Sequence, residues 1–89
     1  MTEKLFKAFF SANVGKEAEM RFKDVDGEGF FKGKITPDSD NTMYQIGDIW
    51  VDYQWFESMM INSHTKVITA NRIYLVSYSD YYDFKINHN

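Results

Sequence analysis

Proton transfer, nucleophilic attack and metal binding need imidazole, thiol or carboxylate groups in suitable spacing, and this sequence supplies few of them. Cysteine is absent, which excludes disulfides, thiolate nucleophiles and zinc–thiolate sites. The histidines are His64, within the loop-like run Asn62-Ser63-His64-Thr65, and His88, which reads as a frayed terminal residue. Asp24, Asp26 and Glu28 alternate as calcium ligands do, but an EF-hand loop needs about twelve residues, a closing glutamate and flanking helices. A solvated hairpin tip explains them better. Gly27, Gly29 and Gly33 fall inside one hairpin rather than between a strand and a helix, and neither G-x-S-x-G nor H-E-x-x-H occurs. The expectation is a protein that is not an enzyme and carries no cofactor and no metal.

Two groups of residues could instead bind something. Arg21, Lys23, Lys32 and Lys34 lie near Phe30, a combination that supplies phosphate contacts beside a stacking ring. The plainer reading is a solvated sheet face whose lysines oppose edge-to-edge aggregation, with Glu19 pairing Lys34 across the strands. The second group is aromatic and acidic: Trp50 with Asp52 and Met43, then Tyr78, Asp80, Tyr81 and Asp83. Exposed Trp, Tyr and Met supply large contact area at protein interfaces, and the surrounding acids would select a basic partner surface. If something covers these rings, they are core instead.

Both groups depend on hairpins. Asp26-Gly27 suits a two-residue type I′ turn, which would pair Phe22 with Phe31, Met20 with Gly33 and Ala18 with Ile35. That register gathers the apolar partners on one face and sends Glu19, Arg21, Lys23, Phe30, Lys32 and Lys34 to the other. Phe22 then reads as core, and Phe22→Ala would cost about 3–5 kcal/mol. Gly47-Asp48 suits a type II′ turn, pairing Ile46 with Ile49, Tyr44 with Val51 and Thr42 with Tyr53, and leaving Met43, Gln45, Trp50 and Asp52 outward. The run from Phe56 to Ile61 is open between helix and strand. Alternation over 72–78 and 81–86 places Tyr78 opposite Tyr81, Leu75 opposite Phe84 and Ile73 opposite Ile86, with Val67–Thr69 as a further short strand. Ahead of these strands, the spacing of Leu5, Phe6, Phe9, Phe10 and Ala12 favours an amphipathic helix over residues 3–13, ended by Gly15, with an edge strand over Leu5-Phe6-Lys7-Ala8-Phe9 as the alternative.

An N-terminal helix followed by five to six strands predicts an α+β fold, a curved antiparallel sheet or a small barrel of the SH3-like or OB-like kind. The 89 residues fit one domain, and 44% hydrophobic and 18% aromatic content suffices for a core without metal or disulfide staples. The apolar run from Leu5 to Phe10 is too short for a signal peptide or membrane span, so a cytoplasmic protein with no membrane association is expected. A net charge of −3 argues against a surface that binds polyanions everywhere, though charge can be segregated by face. Eight Lys against two Arg, a single Pro and abundant Phe, Tyr, Ile and Asn match an A/T-rich coding sequence, as in a bacteriophage or mobile element.

These features lead to two functional expectations. The first is a protein-interaction module, a small phage protein that modulates or inhibits a host protein with a basic surface, bound through the aromatic and acidic group around Trp50. The second is a nucleic-acid-binding small β-barrel that uses the lysine-rich face. Homo-oligomer formation is compatible with either.

Overall fold

The computed structural model describes residues 2–87. Helix α1 (Thr2–Ala12) precedes a hairpin of β1 (Glu17–Asp24) and β2 (Gly27–Lys34), the two-residue β3 (Thr36–Pro37), and a second hairpin of β4 (Met43–Ile46) and β5 (Ile49–Asp52). Helix α2 (Tyr53–Asn62) then leads to β6 (Thr65–Ile68), β7 (Arg72–Val76) and β8 (Tyr81–Ile86). The strands form an antiparallel five-stranded sheet in the order β2-β1-β8-β7-β6 and a three-stranded sheet β3-β4-β5. The fold is α+β as expected, but the single curved sheet or SH3-like or OB-like barrel is replaced by two sheets that do not close on each other.

One strand-like run serves both sheets. β2 pairs with β1, the chain turns inward at fully buried Ile35, and β3 pairs with β4. Burial alternates through the bend, with Lys34 and Thr36 exposed on either side of Ile35, so the outer sides of the two sheets are continuous along this run. The sheets meet where Gly33 lies against Gly47, and a Cβ on Gly33 would stand 2.6 Å from the Gly47 backbone nitrogen. Only residues without side chains permit that approach.

The core fills the inner side. Phe6, Phe9 and Phe10 of α1 pack on Ala18, Met20, Tyr44, Phe56, Ile73, Leu75 and Phe84, all buried. Phe10 stacks on Tyr44 at 5.1 Å and meets Phe84 edge-on at 5.2 Å. Leu5 and Ala12, expected on the buried stripe, are exposed instead. The buried side-chain amide of Asn13 donates to Phe9 O at 2.8 Å and to Ala70 O at 3.3 Å, which ties the end of α1 to the loop before β7.

Turn chemistry explains where register departs from expectation. The first hairpin closes on Asp24 opposite Gly27, so Val25-Asp26 is the loop and Phe22 faces Gly29 rather than Phe31. Asp24 Oδ1 accepts from Asp26 N at 2.9 Å, and neither loop residue has positive φ, whereas Gly27 has φ +134°. Asp at the first position and Gly at the fourth are type I preferences, and these override the Asp-Gly type I′ signal. The third hairpin shifts in the same sense: Val76 faces Tyr81, Leu75 faces Tyr82 and Ile73 faces Phe84, with residues 77–80 as the loop. Each shift preserves parity, so every side chain stays on its expected face.

Phe22 is half-buried rather than core, its ring lying across Gly29 and stacking at 5.9 Å on both Phe31 and Tyr82. The second hairpin has the expected register from Met43↔Asp52 to Ile46↔Ile49, with Gly47 at φ +59°. Tyr53 does not extend it opposite Thr42, because α2 begins there. Asp52 is the helix N-cap and accepts from Trp55 N at 2.9 Å, which settles the open segment 56–61 as helix. Among the described residues no helix is long and apolar enough to cross a membrane.

Candidate functional site

Phe9 and Phe10 of α1, Trp55 of α2 and the Gly47 turn of the small sheet meet the inner side of the five-stranded sheet, and among the described residues no element covers its outer face. Strand pairing assembles that face in rows. One row crosses all five strands as Phe30, Arg21, Asp83, Tyr74 and Val67. A second runs Lys32, Glu19, Lys85, Arg72, and a third runs Glu28, Lys23, Tyr81, Val76, Thr65.

Two guanidinium–ring contacts mark the central row. Arg21 lies 5.0 Å from the centroid of Phe30, whose ring is 48% exposed, and Arg72 lies 4.8 Å from that of Tyr74. Arg72 also grips Asp83 bidentately, Nε donating to Oδ1 at 2.9 Å and a terminal nitrogen to Oδ2 at 3.0 Å. Lys85 stands 3.7 Å from the same carboxylate. The hydrogen bond to Asp83 pushes the Arg72 pKa above its ordinary value, outweighing desolvation, so this guanidinium stays charged. Its partner is committed to it.

Arg21, Lys23, Lys32 and Lys34 differ, for among the described residues they form no ion pair. The expected Glu19–Lys34 pair does not form, since Glu19 lies opposite Lys32 and Lys34 opposite Glu17. Counting Arg72 and Lys85, the outer face bears six cations against Glu17, Glu19, Glu28 and Asp83, a net of +2 in a chain of net −3. The five residues expected for nucleic acid, Arg21, Lys23, Phe30, Lys32 and Lys34, thus share one face. Arg72, Tyr74 and Lys85 join them unanticipated. Their signal was the alternation of 72–78 and 81–86, which placed them opposite the core residues without showing that these strands adjoin β1.

The residues expected for a protein partner are dispersed. Trp50, 47% exposed, sits opposite Gln45 on the outer side of the small sheet, and Met43 sits opposite Asp52. Tyr78 is fully exposed in the β7–β8 turn, 5.4 Å from the ring of His64. Asp80 is in that turn, its carbonyl accepting from Ser77 N at 2.9 Å. Tyr81 and Asp83 lie on the outer face beside the cations. Two of the three carboxylates have structural tasks, Asp52 as a cap and Asp83 as the partner of Arg72. Exposed His64 bonds Thr65 Oγ1 at 2.9 Å; His88 lies outside the described residues.

Fold and face together define a small α+β domain with an open, ring-bearing sheet surface. Comparison with protein-family models, with curated proteins and with solved structures gave no match.

Proposed function

We propose that the chain is a non-enzymatic binding module that holds single-stranded nucleic acid on the outer face of its five-stranded sheet. One observation carries the reading: four cations with no ion pair among the described residues share with the exposed ring of Phe30 a face of net +2, within an acidic chain. Unpaired cations keep their full attraction for phosphate, and an exposed ring accepts any base at about 1–3 kcal/mol. Arg21, seated over the Phe30 ring, extends the platform offered to a stacking base. The open sheet lacks a groove or protruding helix for duplex DNA, which favours a single strand.

The test is titration of a fluorescent oligothymidylate with the chain at several salt concentrations. Four phosphate contacts predict a log–log slope of about −3, and so a loss of roughly fiftyfold in affinity between about 50 and 200 mM salt. Lys23→Glu with Lys32→Glu should reduce the slope by about 1.4 while circular dichroism stays unchanged. Absence of binding at low salt, or binding indifferent to the double reversal, refutes the reading.

The half-exposed Trp50 favours a second reading, a protein-interaction module such as a small phage or mobile-element protein acting on a host protein. A central interface tryptophan is worth about 2 kcal/mol or more of binding energy. Trp50→Ala would then abolish the cellular effect while leaving oligonucleotide affinity intact.

A further inference from the structure

We infer that the free edge of β6, with the groove between it and α1, takes an extended, acidic and apolar segment of a partner protein by strand addition. This surface is separate from the outer face, and the inference does not rest on that reading. β6 ends the sheet order, so one of its sides has no neighbouring strand. Thr69 N donates to Arg72 O at 2.9 Å, and antiparallel alternation then makes Val67 and Thr65 the residues bonded to β7. Lys66 and Ile68 direct their amide and carbonyl groups to the open side. Two residues spaced i, i+2 with free backbone groups are what an incoming strand requires.

Beside this edge runs a shallow apolar groove. Leu5, Ala8 and Ala12 of α1 form one wall and Ile68 and Ala70 the other, and past Leu5 it continues to Met60 of α2. Lys4 lines it and no carboxylate does, while exposed Lys66 stands on the strand itself. The nearby acids are occupied: Glu3 pairs with Lys7 at 3.4 Å, and Glu57 accepts from the Tyr53 hydroxyl. Ile68 and Lys66 both face the groove side, so an added strand would set two groove-facing side chains spaced i, i+2 against them, an apolar one beside Ile68 and an acidic one beside Lys66 and Lys4. A second copy fits poorly, because it would bring its own Lys66 to the same edge, and an edge lysine opposes such pairing.

The edges at β3 and β2 are less suited. β3 is two residues long and contains Pro37, which lacks an N–H, and β2 is covered at Gly33 by the Gly47 turn.

A randomised heptapeptide display library panned on the full chain tests the inference, followed by amide hydrogen exchange with the winning peptide. Enriched peptides should carry an apolar residue and an Asp or Glu two positions apart, on one face of the strand, and slow exchange at Lys66 and Ile68 at least tenfold. Lys66→Pro removes an outward N–H together with the ammonium and should weaken binding at least tenfold relative to Lys66→Ala, which removes the charge alone. Lys66→Glu, which keeps that N–H, should shift selection toward lysine-containing peptides and guards against misfolding of the proline variant. Selected peptides without acids, unchanged exchange at Lys66 and Ile68, unaltered preference in Lys66→Glu, or a self-dimer protected at β6 would each overturn it.

Discussion

Replacing Gly33 with alanine tests the junction on which the two-sheet arrangement depends. The added Cβ would stand 2.6 Å from the Gly47 nitrogen and 3.0 Å from its Cα, both backbone atoms that no rotamer change can move. Carbon contacts relax at roughly 3.5–4.0 Å, so the two hairpins must separate by about 1 Å. Overpacking of this kind costs about 1–3 kcal/mol. Removing a mid-strand glycine returns about 0.5–1 kcal/mol through the unfolded chain, leaving a net loss of about 1 kcal/mol from the midpoints and at most about 2.5 kcal/mol. For a domain of this size a loss of about 1 kcal/mol lowers Tm by about 4–8 °C. Gly29→Ala is the control, because the nearest atoms to its Cβ would be those of the Phe22 ring, a half-buried side chain that can swing aside. Thermal unfolding followed by circular dichroism should rank wild type above Gly29→Ala and Gly29→Ala above Gly33→Ala. A Gly33→Ala protein as stable as wild type would refute the backbone contact between the sheets.

Urea unfolding should show Phe10→Ala losing about 3–5 kcal/mol, because its ring is wholly buried, while half-buried Phe22→Ala loses about 1–2 kcal/mol. Asp52→Ala should cost about 1 kcal/mol and speed amide exchange in the first turn of α2, since Trp55 N loses its acceptor. At Asp38 desolvation raises the carboxyl pKa, but hydrogen bonds from Thr42 and Met43 outweigh it and hold the group below its ordinary 3.8. The order this contributes to residues 38–43 is therefore complete above that value and lost as pH falls through the lower folded value, which Thr42 amide shifts in NMR will report.

Face assignment was legible because it depends only on the parity of alternation. Phe22, Met20 and Ala18 stay on the inner side and Arg21, Lys23 and Phe30 on the outer, although both long hairpins shift in register. Register was less legible, because Asp24-Val25-Asp26-Gly27 offers two overlapping turns and the Asx bond of Asp24 decides between them. α2 was hidden because Tyr53-Gln54-Trp55 continues the look of a strand, and the capping role of Asp52 is written in one hydrogen bond. The candidate face was half visible. Arg21, Lys23 and Phe30 follow from one local hairpin, whereas Arg72, Tyr74 and Lys85 reach them only through β1–β8 pairing, a long-range choice that no local pattern encodes.

That pairing also governs how the chain can be made. β1 and β8 are neighbours within the five-stranded sheet, with Ala18 facing Ile86 and Lys23 facing Tyr81. During vectorial synthesis the ribosome delivers the β1–β2 hairpin long before its companion, and Met20 must wait for Phe84 to emerge. Until then β1 presents an unsatisfied ladder to solvent, an aggregation hazard of the kind that slow, non-local topologies incur. The lysines at positions 23, 32 and 34 are already translated at that stage, so the charge proposed to bind phosphate in the finished protein also keeps the waiting hairpin apart from its copies on neighbouring ribosomes.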